Sequence, residues 1–307
     1  MSEPVIRFHE VSKWYGGVSA LKSVTVDIPP GIVGLLGPNG AGKTTFLRIV
    51  TGMMRPSRGA VRVLGQPVWN NPRLYAQVGY APEADAFYEF LTGRDFLVTL
   101  LGIQGVGRAH ASRLAAVALE KVDLADVAGR KIYTYSRGMR QRLKIAQAIA
   151  HEPRVLFLDE PLSGTDPIQR KRLMEIFREM GRQGRTILIS SHVLHEVEQI
   201  TRNFVLIHKG RVVAVGDVRE IRELIDRHPH GVVLETDEPR RLAAALCGLD
   251  EVKSLEFDTG RLKVLTHVPD RFYSMLPGLV LDSGVAVREI YSPDDNLEAV
   301  FRYLVQS

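Results

Sequence analysis

One run of nine residues, Gly37-Pro38-Asn39-Gly40-Ala41-Gly42-Lys43-Thr44-Thr45, constrains the fold of this chain more than any other stretch. It follows the apolar run Ile32-Val33-Gly34-Leu35-Leu36 and leads into Phe46-Leu47-Arg48-Ile49-Val50. The first run reads as a buried strand, and the second has helical spacing. Between them stands G-x-x-x-x-G-K-T, the spacing of a phosphate-binding loop. Its glycines let the backbone close around a polyphosphate, with successive N–H groups pointing inward. The helix that follows turns its positive end toward the same anion. In this reading Lys43 reaches the β- and γ-phosphates of a nucleoside triphosphate, and the Thr44 hydroxyl enters a Mg²⁺ shell. An ordinary glycine-rich turn is the alternative, and the strand–loop–helix context disfavours it.

A second constellation follows more than a hundred residues later. Val155-Leu156-Phe157-Leu158 reads as a strand buried on both faces, and Asp159-Glu160-Pro161 stands at its C-terminal end. Ligands bind at that end of the strands in open α/β sheets. Two carboxylates there are costly to bury without a cation or a reacting group. Asp159 suits Mg²⁺, and Glu160 suits polarising an attacking water. Thr186–His192 is a further buried strand ending in a histidine; a lone histidine there is usually structural, but His192 emerges at the same sheet edge as the two acids, where it suits a γ-phosphate contact.

The rest of the chain organises around these pieces. Val5–Val11 and Ala20–Ile28 read as strands, with Lys13–Gly17 as the turn between them and Tyr15 at the end of that turn's aromatic pair. An exposed Tyr15 ring suits stacking on a nucleobase; as a lone aromatic it would more often pack against protein. Helical spacing runs over Leu91–Leu101, Arg108–Lys121 and the stretch opened by Ser136, which suits an N-cap. Pro167–Arg182 is a helix whose mixed charges form a solvated face. Phe204–Ile207 and Arg211–Gly216 read as a hairpin closing at Lys209-Gly210.

Together these pieces resemble the ATPase subunit of ABC transporters over residues 3–220. The Walker A loop is Gly37–Thr45, the Walker B strand is Val155–Asp159, and the switch histidine is His192. The D-loop is Ser163-Gly164-Thr165-Asp166, Tyr15 falls at the adenine-stacking aromatic, and Tyr135–Met139 falls at the Leu-Ser-Gly-Gly-Gln signature. The signature keeps Ser136 and Gly138 but carries Tyr135, Arg137 and Met139; Glu83 replaces the usual Q-loop glutamine, and Thr165 the usual D-loop leucine. Such variants are similar to those of single-domain ATPases that drive exporters. The resemblance implies an α/β fold of P-loop NTPase type: a RecA-like core, an antiparallel β subdomain and a helical insertion at about 86–150. It also implies ATP and Mg²⁺ as cofactors, with Thr44, Asp159 and Glu83 toward the metal, and Glu160 and His192 as catalytic residues. A head-to-tail homodimer would place Ser136, Arg137, Gly138, Met139 and Asp166 opposite the other subunit's ATP. The helical insertion would meet a separate transmembrane permease at the cytoplasmic face of the membrane.

From about Gly231 the pattern changes to strand, helix, two strands, helix, strand, and a last helix at Asp294–Val305. That order is ferredoxin-like, a fold that specifies no function by itself. The expected division is therefore an ATPase domain at 1–226 and an accessory α+β domain at 227–307. Composition adds limits. No stretch approaches the ~20 apolar residues of a membrane span, and no signal peptide is visible at the N-terminus. Cys247, the only cysteine, excludes an intrachain disulfide and suits a reducing compartment. The net charge of +5 is spread among acids rather than blocked, so no nucleic-acid partner is expected. The competing readings are a non-transport ABC ATPase and a nucleotide-regulated binding module.

Overall fold

The computed structural model describes residues 3–217, 221, 230–258 and 260–292, which fall in two units, Met1–Val215 and Gly216–Ser307. The expected limit near residue 226 lies among residues 218–229, of which only Ile221 is described. The first unit opens with β1 (Ile6–Tyr15), β2 (Val18–Ile28), β3 (Ile32–Leu36), α1 (Lys43–Val50), β4 (Arg58–Val63) and β5 (Gln66–Pro67). It continues through α2 (Pro72–Tyr75), β6 (Val78–Ala81), α3 (Gly93–Ile103), α4 (Arg108–Lys121) and α5 (Arg137–Ile149). Then come β7 (Val155–Asp159), α6 (Pro167–Arg182), β8 (Thr186–Ser191), α7 (Leu194–Glu198), β9 (Asn203–His208) and β10 (Arg211–Asp217).

Two sheets result. One is four-stranded with order β2-β1-β4-β5, and its neighbouring strands run antiparallel. The other is six-stranded with order β10-β9-β3-β8-β7-β6, and the pairs from β9 to β6 are parallel. A parallel strand covered on both faces sends alternate side chains into different cores. β7 does this: Val155 and Phe157 join Phe46, Leu35 and Val205, while Leu156 and Leu158 join Leu97, Leu119, Leu143 and Phe177. The first core ties the antiparallel sheet to α1 through the stacked rings of Phe8 and Phe46, 3.9 Å apart. The second joins the helical insertion to α6 and β8.

Several boundaries differ from the sequence reading. The turn expected over Lys13–Gly17 narrows to Gly16-Gly17, because Lys13, Trp14 and Tyr15 pair with Leu21, Ser19 and Val18. The helix expected from Leu91 starts at Gly93, after Thr92 caps it by accepting from the Asp95 N–H.

The second unit contains β11 (His230–Thr236), α8 (Pro239–Leu246), β12 (Val252–Asp258), β13 (Arg261–Thr266), α9 (Pro269–Ser283) and β14 (Val287–Tyr291). Its sheet order is β12-β13-β11-β14 with antiparallel neighbours, the ferredoxin-like arrangement. Val232, Leu234, Leu242, Leu246, Leu262 and Phe272 form its core. The helix expected at Asp294–Val305 lies outside the described residues. Among the described residues no helix is long and apolar enough to cross a membrane.

His151 should make the first unit sensitive to acid. His151 follows α5 and its Nε2–H donates to the Val78 carbonyl at 2.9 Å. Burial, with the nearby charge of Arg185, pushes its pKa below the ordinary 6.5, against the pull of that hydrogen bond. Above pH 6.5 both folded and unfolded chains hold it neutral, so its stability contribution is complete. As pH falls through that value the unfolded chain takes the proton first, and the contribution is lost down to the depressed folded value. The thermal midpoint should therefore drop as pH falls below about 6.5, and His151→Gln, which can still donate to Val78, should flatten that drop. Equal pH slopes for the two proteins would assign the acid sensitivity elsewhere.

Candidate active site

The strand order sets the site. β8 lies between β3 and β7, so the chain leaves these three strands side by side: Leu36 pairs with Ser191, and Ser190 with Asp159. The loop after β3, the pair Asp159-Glu160 and His192 thus meet at one sheet edge.

The loop itself is shaped by close approach. A Cβ at Gly37 would sit 2.2 Å from the Ile207 carbonyl oxygen. At Gly42, where φ is +109°, a Cβ would sit 2.7 Å from the Ala20 carbonyl oxygen. Gly40, also with positive φ, has open space around it. Pro38 accepts from the N–H of buried Ala41, whose carbonyl accepts from the Gly210 N–H in the β9–β10 turn. That turn has positive φ at both Lys209 and Gly210, as a two-residue hairpin turn requires. Asn39 and Gly40 remain at the exposed rim of the loop. Lys43, Thr44 and Thr45 form the first turn of α1, whose N-cap Gly42 supplies no side-chain cap. The N–H groups of that turn therefore point at the loop's concavity.

Lys43 is buried and donates to the Gly37 carbonyl at 2.7 Å and, more weakly, to that of Pro38. Its Nζ also stands 3.5 Å from Glu160 Oε1. The other oxygen of Glu160 accepts from His192 Nδ1–H at 2.9 Å. Glu160 is only 8% exposed and has positive φ, so its backbone makes a sharp exit from β7. Burial pushes its carboxyl up from the usual range, opposed by the His192 hydrogen bond and the Lys43 charge. Asp159 is 1% exposed. Its Oδ1 accepts from the Ser190 hydroxyl at 2.6 Å, and its Oδ2 is buried with no hydrogen-bond partner. Burial raises this carboxyl too; the Ser190 hydrogen bond and the nearby Thr44 hydroxyl oppose the rise, and the charge of Glu83 adds to it.

A divalent cation fits this pair. An orphaned carboxylate oxygen beside a threonine hydroxyl is an oxygen donor set of the kind Mg²⁺ takes, with phosphate and water completing the shell. Among the described residues no cluster of three His, Cys, Asp or Glu could hold a metal ion without such outside ligands.

The family model described as ABC transporter matches residues 21–163. The daunorubicin/doxorubicin resistance ATP-binding protein DrrA of Streptomyces peucetius is 37% identical over 260 residues, 84% of this chain and 79% of that protein. This chain belongs to the ABC transporter ATP-binding proteins. It is an ATP-hydrolysing subunit. The daunorubicin resistance ATP-binding protein DrrA3 of Streptomyces coeruleorubidus is 32% identical over 309 residues, 99% of this chain and 96% of that one, so the likeness extends through the second unit. A solved ATP-binding subunit of an ABC transporter superposes with a TM-score of 0.67 at 31% identity, covering 72% of this chain and 93% of that one.

The remaining residues singled out in this ABC ATPase lie away from that cluster or hold local structure. Ser136 caps α5, its hydroxyl accepting from the Met139 N–H at 3.3 Å, with exposed Arg137 and half-buried Gly138 following. Arg137 lies against Gly164: a Cβ there would meet its Nε at 2.4 Å. Asp166 caps α6, accepting from the N–H groups of Ile168 and Gln169. The Tyr15 ring is 45% exposed, and its hydroxyl meets Met54 Sδ at 3.0 Å. Glu83 is exposed just beyond β6.

Two contributors have no motif to announce them. Ser190 bonds the Asp159 carboxylate and accepts from the Glu160 N–H. Gln141, buried on α5, donates to the carbonyls of Glu160 and Pro161 at 3.1 and 2.9 Å. A hydroxyl paired with an acid across parallel strands was the available sign for Ser190.

Proposed function

We propose that this ABC ATPase drives an exporter: two copies close head to tail around two Mg-ATP molecules, on the cytoplasmic face of a separate membrane permease. The observation that carries the chemistry is Glu160, buried between Lys43 and His192 at the mouth of the phosphate loop. Export is supported by the drug-resistance relatives, one of them alike along nearly the whole chain.

In this reading the loop N–H groups from Gly37 to Thr45 and Lys43 hold the phosphates, and the exposed Tyr15 ring stacks on the adenine. Thr44 and Asp159 hold Mg²⁺, with Glu83 in reach through water. When bound, the cation neutralises charge on the phosphoryl oxygens. Polyphosphate draws Lys43 away from the Gly37 and Pro38 carbonyls and from Glu160. Glu160 then accepts the proton of the attacking water, and its hydrogen bond to Nδ1 orients the His192 ring, whose Nε2–H donates to the γ-phosphate when both ring nitrogens carry protons. Ser136 and the Gly138 N–H of the second copy complete the site, with Arg137, Met139 and Asp166 beside them.

The test is release of phosphate from ATP by the purified chain with and without Mg²⁺, joined to identification of the membrane protein that copurifies from detergent extracts. Turnover that needs Mg²⁺ and a copurifying multispanning protein are expected. Tight ATP binding with no release under either condition would instead favour the nucleotide-regulated binding module.

A further inference from the structure

α5 grips two loops at once. Gln141 and Lys144 are three residues apart and so share one helix face. Gln141 holds the Glu160 and Pro161 carbonyls, on the chain just beyond β7. Lys144 is 3% exposed, and its Nζ donates to the Glu83 carbonyl at 2.5 Å and to Asp85 Oδ1 at 3.1 Å. Its neighbours Leu143, Ile145 and Ala146 are all buried apolar residues. An ammonium group in such a place is costly unless its hydrogens are used. Here both partners come from the segment just after β6, some sixty residues earlier in the chain. That segment carries Glu83, whose charge is felt at Asp159.

We infer that Lys144 is a positioning residue: by clamping the Glu83 carbonyl and the Asp85 carboxylate it holds the Glu83 side chain within reach of the metal-binding edge. The helix that begins at Ser136 thereby sets the place of two acids, Glu160 through Gln141 and Glu83 through Lys144. A glutamate at position 83 needs this more than an amide would, because a carboxylate that feels the charge of Asp159 turns toward bulk water unless it is anchored. The inference rests on the nucleotide reading for its consequence, and on geometry alone for the clamp.

The experiment uses the full chain and two readouts. Lys144→Met keeps the length and apolar stem of the side chain and removes its donors. Amide exchange without nucleotide should speed up about tenfold at residues 83–86, with little change at 155–160, because only the first loop loses its hold. Lys144→Arg should restore most of the protection. Binding of a fluorescent ATP analogue should weaken about fivefold with Mg²⁺ present and not in its absence, and the Mg²⁺-dependent loss should vanish in a Glu83→Ala background. Unchanged exchange at 83–86 would overturn the clamp. An equal loss of Mg²⁺-dependent affinity with and without Glu83 would overturn its action through that residue. If the unaltered chain binds no nucleotide, the nucleotide reading fails while the exchange result still judges the clamp.

Discussion

Glu160→Gln should bind Mg-ATP like the unaltered chain yet release phosphate at least about 10²-fold more slowly. The substitution keeps the shape of a side chain packed between Lys43 and His192, so the fold around it has little reason to move. It removes the one group placed to accept a proton from water. It also removes the charge that holds Lys43 at 3.5 Å when no phosphate competes, which leaves binding intact or slightly tighter. The closed dimer should then accumulate with ATP. Single-turnover phosphate release is the measurement. A near-normal rate would move the general-base role away from Glu160, with His192 the next group in line.

Gly138→Asp should abolish hydrolysis while leaving ATP binding by the separate subunit nearly unchanged. The local structure tolerates the change, since a Cβ at Gly138 meets only the Gly164 carbonyl, at 3.8 Å. Its backbone also lies outside the left-handed region. Loss of function must then come from what approaches this helix start from outside. A carboxylate brought to about 4 Å from a phosphate charge costs about 4 kcal/mol per charge pair at an effective dielectric of 20. That is enough to keep a dimer from closing. Lys43→Ala should fail differently, by weakening ATP binding at its own loop. Crosslinking decides whether the contact runs between subunits. Cys247 is exposed and must first be replaced. Cysteines placed near Gly40 and Gly138, in Glu160→Gln with ATP, should then join different chains. A bond formed only within one chain would sink the head-to-tail arrangement.

Much of the fold could be read directly from residue order. β7 and α6 match their expected limits because strong local signals bound them: an apolar run ending in two acids, and a capped Asp166-Pro167 start. The β1–β2 turn did not, because Lys13, Trp14 and Tyr15 pair on an exposed edge where no burial alternation marks a strand. The site divides in the same way. Lys43, Asp159, Glu160 and His192 sit in spacings tied to chemistry. Gln141 acts on backbone carbonyls that any residue could supply, and Lys144 on one such carbonyl and an acid some sixty residues away, so no local spacing marks them. Asp166 carried a motif, and in the structure it caps a helix.

The phosphate loop leans on residues far downstream, and this has a consequence for synthesis. β3 is flanked by β8 and β9, and Gly37, Ala41 and Gly42 are packed against Ile207 or bonded to Gly210. A nascent chain therefore carries the complete motif long before it carries the pocket. At usual translation speeds the ribosome needs roughly ten to thirty seconds to travel from the loop to the turn that supports it. During that interval the glycines have no wall to lean on and ATP cannot help the chain fold. Nucleotide can stabilise this unit only as a late event, after its ninth strand has left the ribosome.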